Sequence, residues 1–235
     1  MIGIIGGNGV AATNRLCYLV EKQVTFTGAK FDNDHPEMVI HQATHVPSRS
    51  LFLEGRGPSF VPEYIAIGKK LRNFGAGSIC IVCNTAHYAL GEISDAVGLP
   101  FMDIVRSTLI AAKEKGAKRL GLLASTGCLL GNVYGSRRDS VFDSHYGPKI
   151  ISPDKVMQEN VSAGIRAVKY GDSLFAAQVF STACQQLVLE FEVDLIILGC
   201  TDISSVFSPS TFLGVGVIDS LEVAAREVFN AKEYW

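Results

Sequence analysis

The strongest constraint on this chain is that it makes the same statement twice. "ICIVCNTAH", Ile79 to His87, and "LIILGCTDIS", Leu195 to Ser204, are each an apolar run that ends on a cysteine. Small hydrogen-bonding residues follow at once in both. Two further landmarks repeat in the same order: "IGIIGGNG", ending at Gly9, is echoed by "LGLLASTG", ending at Gly127, and Asp103 of "PFMDIV" by Asp219 of "GVIDSL". The steps from glycine to cysteine and from cysteine to aspartate agree between the halves to within one residue. Landmarks held in register in this way specify a duplicated unit, and so two similar lobes.

Between the landmarks, apolar runs alternate with amphipathic stretches. "IGIIGG", "EMVIHQATH", "SICIVCN", "LPFMDIV", "KRLGLLAS", "PKIIS" and "VDLIILGC" read as strands. Helical spacing fills the gaps, including one long helical region from Asp154 to about Phe191. Such alternation is the mark of βαβ units around a parallel sheet, and the near-continuous Ile, Val and Leu runs suit strands buried on both faces. The expected fold is therefore α/β: two pseudo-twofold-related lobes, each a parallel sheet flanked by helices, with the active site in the cleft between them. The first lobe is expected to span residues 1–102 plus 214–235, and the second 103–213, since the segment after the second cysteine echoes the crossover from "PFMDIV" into the other lobe.

Composition narrows the function classes. Hydrophobic residues make up 48% of the 235 and charged residues 19%, enough to bury a real core. A net charge of -2 argues against a nucleic-acid partner. No apolar stretch approaches a membrane span, and "MIGIIGGNG" has no basic leader, so a soluble cytoplasmic protein is expected. Six cysteines are too few for a disulfide scaffold, and none has zinc spacing. Cys80 and Cys83 form C-x-x-C, but positions three apart in a strand face opposite ways. No metal site is expected.

In open α/β sheets ligands bind outside the carboxyl ends of the strands, where Cys83 and Cys200 both sit. Facing lobes would set the two thiols on opposite sides of one cleft. One thiolate could then act as general base while its partner, still protonated, acts as acid. That arrangement suits removal of a proton from one face of a carbon and its return to the other. Asn84, Thr85 and Thr201 supply amide and hydroxyl donors, and Thr13, Ser125 and Thr126 stand in the glycine-bearing loops.

On "IGIIGGNGVAAT", "HVPSR", "CNTAH", "LLASTG", "IRAVKYGD" and "LGCTDI", which together run nearly the whole length, the chain resembles the aspartate/glutamate racemase family, on its aspartate side. That resemblance implies cofactor-independent inversion of L- and D-aspartate, with Cys83 and Cys200 as paired acid and base. It implies Arg49 and Lys169 as substrate-binding cations, with Asn84, Thr85, Thr126 and Thr201 holding the α-carboxylate or lining the pocket. It also implies a homodimer and a small acidic amino acid as the only other partner. Asp202 stands where the family usually has Glu, and where glutamate racemases have His. Asn8 stands where those enzymes have Asp, so it cannot serve as that carboxylate. Cys128 replaces a more usual Thr.

"GGNGVAA" imitates a dinucleotide loop, but "EMVIHQATH" lacks the acidic residue that holds a ribose. His41 and His45 lie on an apparent strand and suit surface imidazoles better than a metal. His87 stands close enough to tune Cys83 or to cap a helix, and Tyr134, His145 and Tyr146 could reach the cleft. A glutamate racemase, a dicarboxylate isomerase of the same superfamily and a non-catalytic binder of acidic amino acids are the alternatives. A pure binder has no need of both thiols.

Overall fold

A computed structural model describes residues 1–142 and 147–231. The first lobe contains β1 (Ile2–Gly6), α1 (Val10–Phe26), β2 (Met38–Gln42), α2 (Arg49–Leu53), α3 (Val61–Asn73), β3 (Ser78–Ile81) and α4 (Leu90–Val97). Then come α5 (Ile104–Glu114), β4 (Arg119–Leu123), α6 (Thr126–Leu130), α7 (Gly135–Val141), β5 (Lys149–Ile151), α8 (Lys155–Tyr170) and α9 (Ser173–Leu189). The chain closes with β6 (Leu195–Leu198), α10 (Thr201–Ser204), β7 (Thr211–Phe212), β8 (Val215–Asp219) and α11 (Ser220–Asn230).

Two sheets form, ordered β2-β1-β3 and β5-β4-β6-β8-β7. Every pairing is parallel except β7 with β8. That hairpin turns at Leu213 and Gly214, whose φ values of 47° and 81° match the twist of a two-residue loop. The repeat seen in the sequence is thus a repeat of βαβ units, and the two-lobed α/β expectation holds.

Alternation along each strand assigns the cores. Ile4, Cys80 and Val82 join Leu120, Leu122 and Ile197 in a central cluster, together with residues of α1, α5 and α11. Ile5, Ile81 and Cys83 face α3 and α4 on the outer side of the first sheet. Leu123, Ile196 and Leu198 face α8 and α9 on the outer side of the second. Cys80 and Cys83 therefore belong to different cores, as strand geometry requires.

Three expectations need revision. The described part of the segment expected to complete the first lobe, residues 214–231, is shared between the two sheets' surroundings. Strand β8 finds its ladder partners on β6 in the second sheet, and only α11 turns back to pack against α1. "LPFMDIV" contributes a single parallel bridge, Phe101 to Ile79, because Pro100 has no N–H to extend the ladder. The long helix after Asp154 is two helices. Gly171 (φ 91°) ends α8, and Asp172 caps α9 by accepting from the Phe175 N–H at 3.1 Å.

Candidate active site

Cys83 leaves the carboxyl end of β3, and Cys200 leaves that of β6 as the residue before α10. Both line one cavity of about 90 Å³ between the lobes. A direct bond joins the two cysteine segments: the Thr201 hydroxyl, just after Cys200, donates to the carbonyl of Val82, just before Cys83, at 3.3 Å. Two further contacts cross the cleft. Thr85 and Ser125 hydroxyls lie 3.0 Å apart, and the Gly127 N–H donates to Ser50 Oγ at 3.0 Å.

The repeated glycines explain themselves here. A Cβ on Gly9 would lie 1.9 Å from Asp202 Oδ1, and one on Gly127 would lie 2.4 Å from the Ser50 Cα. Each lobe's glycine loop receives a group of the other lobe, so bare backbone is needed at both. The glycine signature in "GGNG" is therefore a closure contact with Asp202.

Of the expected site residues, Arg49, Asn84, Thr85, Lys169 and Thr201 line the cavity with the two thiols. Thr126 does not. Its hydroxyl lies 2.9 Å from Ser162 Oγ on α8, and Ser125, the cap of α6, lines the cavity in its place. The cavity also takes in Asn8, Ser50, Ile165 and Asp202. Ile165 lies one helical turn before Lys169 on the same face of α8, a spacing that could have revealed it.

Arg49 opens α2, which Ser48 caps by accepting from the Leu51 N–H. Its guanidinium donates to the carbonyls of Pro47 at 3.0 Å and Asn8 at 3.2 Å. Burial opposes its charge, but Cys83, Tyr64 and Asp202 offset burial and hold it above its ordinary value. The Nε is buried without a partner among the described residues. Lys169 Nζ lies 3.1 Å from Asp202 Oδ2. Asp202 is 6% exposed. Burial pushes its carboxyl above the usual range, opposed by Lys169 and then by Arg49. Its Oδ1 and the Oδ1 of Asn8 are also buried without partners among the described residues.

The thiols differ in surroundings. Burial, then the neighbouring Asp202 charge, push Cys200 up to about 12 against the Asp202 and Ile203 N–H groups. Cys200 is therefore a thiol near neutral pH. Cys83 stands beside the fixed positive charge of Arg49. The nearby His87 is fully buried, its Nδ1 2.8 Å from the Cys83 carbonyl and its Nε2 3.3 Å from that of Met102. It holds backbone rather than sulfur, and burial lowers its pKa.

Cys128 is buried, and burial holds its pKa well above the ordinary thiol value. His41 ends in β2, whereas His45 lies beyond the strand and approaches Glu63 at 3.5 Å. No His/Cys/Asp/Glu group suited to a metal occurs among the described residues. His145 and Tyr146 lie outside the described residues. Among the described residues, no helix is long and apolar enough to cross a membrane.

Comparison with known proteins identifies the family. The family model for Asp/Glu/hydantoin racemase matches residues 2–228. The chain is 25% identical over 212 residues to the broad specificity amino-acid racemase RacX of Bacillus subtilis (strain 168), covering 88% of this chain and 87% of that one. It superposes on the aspartate racemase of Picrophilus torridus with a TM-score of 0.83 at 26% identity, covering 99% and 94%. A glutamate racemase from Francisella tularensis, solved in complex with D-glutamate, shares the fold at a TM-score of 0.64 and 14% identity, with 99% and 81% covered.

Proposed function

The chain belongs to the Asp/Glu/hydantoin racemase family, and we propose that it interconverts L- and D-aspartate without a cofactor, Cys83 and Cys200 serving opposite faces of Cα. Enzymes of this family are isomerases, and this chain is one of them. The observation that carries the finer reading is the pair of thiols on one small cavity whose orphaned polar atoms complement an acidic amino acid.

Each orphan has a natural counterpart in that substrate. Arg49 Nε is a donor and receives a carboxylate, and Lys169 adds positive charge beside it. Asn8 Oδ1 and Asp202 Oδ1 are acceptors and receive the ammonium group. Arg49 and Lys169 supply two positive charges for the two carboxylates of aspartate, and Asp202 a negative one for its ammonium group. Asn84, Thr85 and Thr201 offer donors to the α-carboxylate.

The chemistry needs those donors. The Cα–H is a far weaker acid than a thiol, so the carboxylate must be stabilised as it takes on enediolate character. For one enantiomer Cys83, beside Arg49, serves as the base, and Cys200, a thiol near neutral pH, serves as the acid. The Cys83 thiolate removes the Cα proton of one enantiomer, and Cys200 delivers its own proton to the opposite face. The product leaves the pair in reversed protonation, ready to act on the other enantiomer. Asp202 is one methylene shorter than Glu, which favours glutamate as a second substrate to test beside aspartate.

The experiment is proton NMR of the purified protein in D2O with each enantiomer of aspartate, and then of glutamate, without added cofactor. Loss of the Cα–H signal together with appearance of the opposite enantiomer is expected for aspartate. Exchange with glutamate alone would reassign the substrate. Exchange with neither, by a folded and reduced protein, would overturn the reading. The homodimer belongs to the same proposal and is checked by sedimentation.

A further inference from the structure

We infer that Tyr134 is a positioning residue: it sets the Asn84 amide so that its remaining N–H is offered to the substrate carboxylate, through a one-way hydrogen-bond chain tying the two cysteine loops together. What the amide does for substrate rests on the racemase reading above; the chain itself does not.

Three links make the chain. The Tyr134 hydroxyl lies 2.8 Å from Asn84 Oδ1. Asn84 Nδ2 lies 2.8 Å from Ser220 Oγ. Ser220 Oγ lies 2.7 Å from the carbonyl oxygen of Leu198. Its direction follows from counting protons. A carbonyl oxygen only accepts, so the single hydroxyl proton of Ser220 is committed to Leu198. Ser220 must then accept from Asn84, which turns Nδ2 toward Ser220 and Oδ1 toward Tyr134. Tyr134 supplies the proton that Oδ1 needs, and bonds aligned in one direction strengthen one another.

The chain joins places that matter. It starts in the second lobe at Tyr134, the residue before α7, and passes through Asn84, the residue after Cys83. It ends at Leu198, two residues before Cys200. Tyr134, Asn84 and Ser220 are each 1% exposed or less, so little solvent can replace a lost partner. Asn84 lines the cavity and Tyr134 does not. With one N–H and the oxygen committed, Asn84 keeps one N–H, a donor. Without Tyr134 the Oδ1 loses its donor and Ser220 alone holds the amide, so the remaining N–H is no longer fixed toward the carboxylate.

The test is Tyr134→Phe, which keeps the ring and removes the proton. KM for aspartate should rise about tenfold, the worth of one misplaced polar contact, with a smaller fall in kcat. Mere loss of folded enzyme would lower the maximal rate and leave KM alone. On an Asn84→Ala background, Tyr134→Phe should add less than about a twofold further change. Multiplying effects, or an unchanged KM, would overturn the inference. The same double-mutant cycle read by urea unfolding needs no substrate: non-additive losses support the chain and additive losses overturn it, even if the enzyme acts on another amino acid. Should Asn84→Ala fail to fold, Ser220→Ala takes its place in the cycle.

Discussion

Replacing Gly127 with alanine tests whether closure of the lobes, rather than the thiols alone, makes the site. The new Cβ would stand 2.4 Å from the Ser50 Cα and 2.5 Å from its Oγ. The Cα is backbone, so no side-chain rotation relieves the contact. Restoring an ordinary carbon–carbon separation of about 3.5 Å requires α2 to retreat by about 1 Å. That retreat lengthens the Gly127-to-Ser50 hydrogen bond beyond use and carries the adjacent Arg49 away from Cys83 and Asn8. Overpacking of this kind costs about 1–3 kcal/mol, and the lost hydrogen bond about 1 kcal/mol more. The larger effect is on rate, since a misplacement of about 1 Å can cost about a hundredfold. Initial rates of racemisation followed by circular dichroism, alongside urea unfolding, separate the two. The expected result is a fall in kcat/KM of about a hundredfold with a folded protein. Activity within about threefold of wild type would refute the claim that α2 must seat against α6 for the site to work.

Other perturbations read other parts of the account. Cys83→Ser and Cys200→Ser should each lower kcat by about 10²- to 10⁴-fold while leaving unfolding cooperative, and retained turnover in either would remove that thiol from the proton path. Asp202→Asn keeps an acceptor oxygen but removes the negative charge that faces the ammonium group and helps hold Cys200 protonated. KM for aspartate should rise about tenfold, and the alkaline limb of kcat/KM, where the acid thiol ionises, should move to lower pH; a limb that stays or rises contradicts the role. Burial pushes Cys80 and Cys184 up to about 12, above the unfolded thiol value. Their stabilising contribution is full below the unfolded value of about 8.5 and is lost as pH rises toward 12, at about 1.4 kcal/mol per pH unit for each thiol. Cys184→Ala should flatten the decline of urea midpoint with alkalinity, and an unchanged slope counts against buried neutral thiols.

The duplication was legible because it is local: a buried strand ending on cysteine needs the same apolar run in each lobe. Cys83, Cys200, Arg49 and Lys169 could be found from short motifs, and all four reach one cavity. What sequence spacing could not reveal depends on three-dimensional register. Ser125 rather than Thr126 lines the cavity because α6 begins at Thr126, which turns that hydroxyl toward Ser162. The fate of Val215–Asp219 was hidden for a similar reason, since a strand's sequence does not say which sheet edge will pair with it. Gly9 mimicked a phosphate loop because both uses need bare backbone; only the approach of Asp202 distinguishes them. Tyr134 stood out only as a residue that could reach the cleft, and Ser220 not at all, because a hydrogen-bond chain between distant segments leaves no periodicity.

The central claim is that two thiols work from opposite faces of one carbon, and early-time isotope partition in D2O tests it most directly. Starting from L-aspartate, the first D-aspartate formed should carry deuterium at Cα while the remaining L-aspartate stays protiated, because the group that delivers the proton is not the one that took it. Deuterium entering both enantiomers from the outset at comparable rates, or protium carried from substrate into product, would mean one group serving both faces and would contradict the assignment of Cys83 and Cys200.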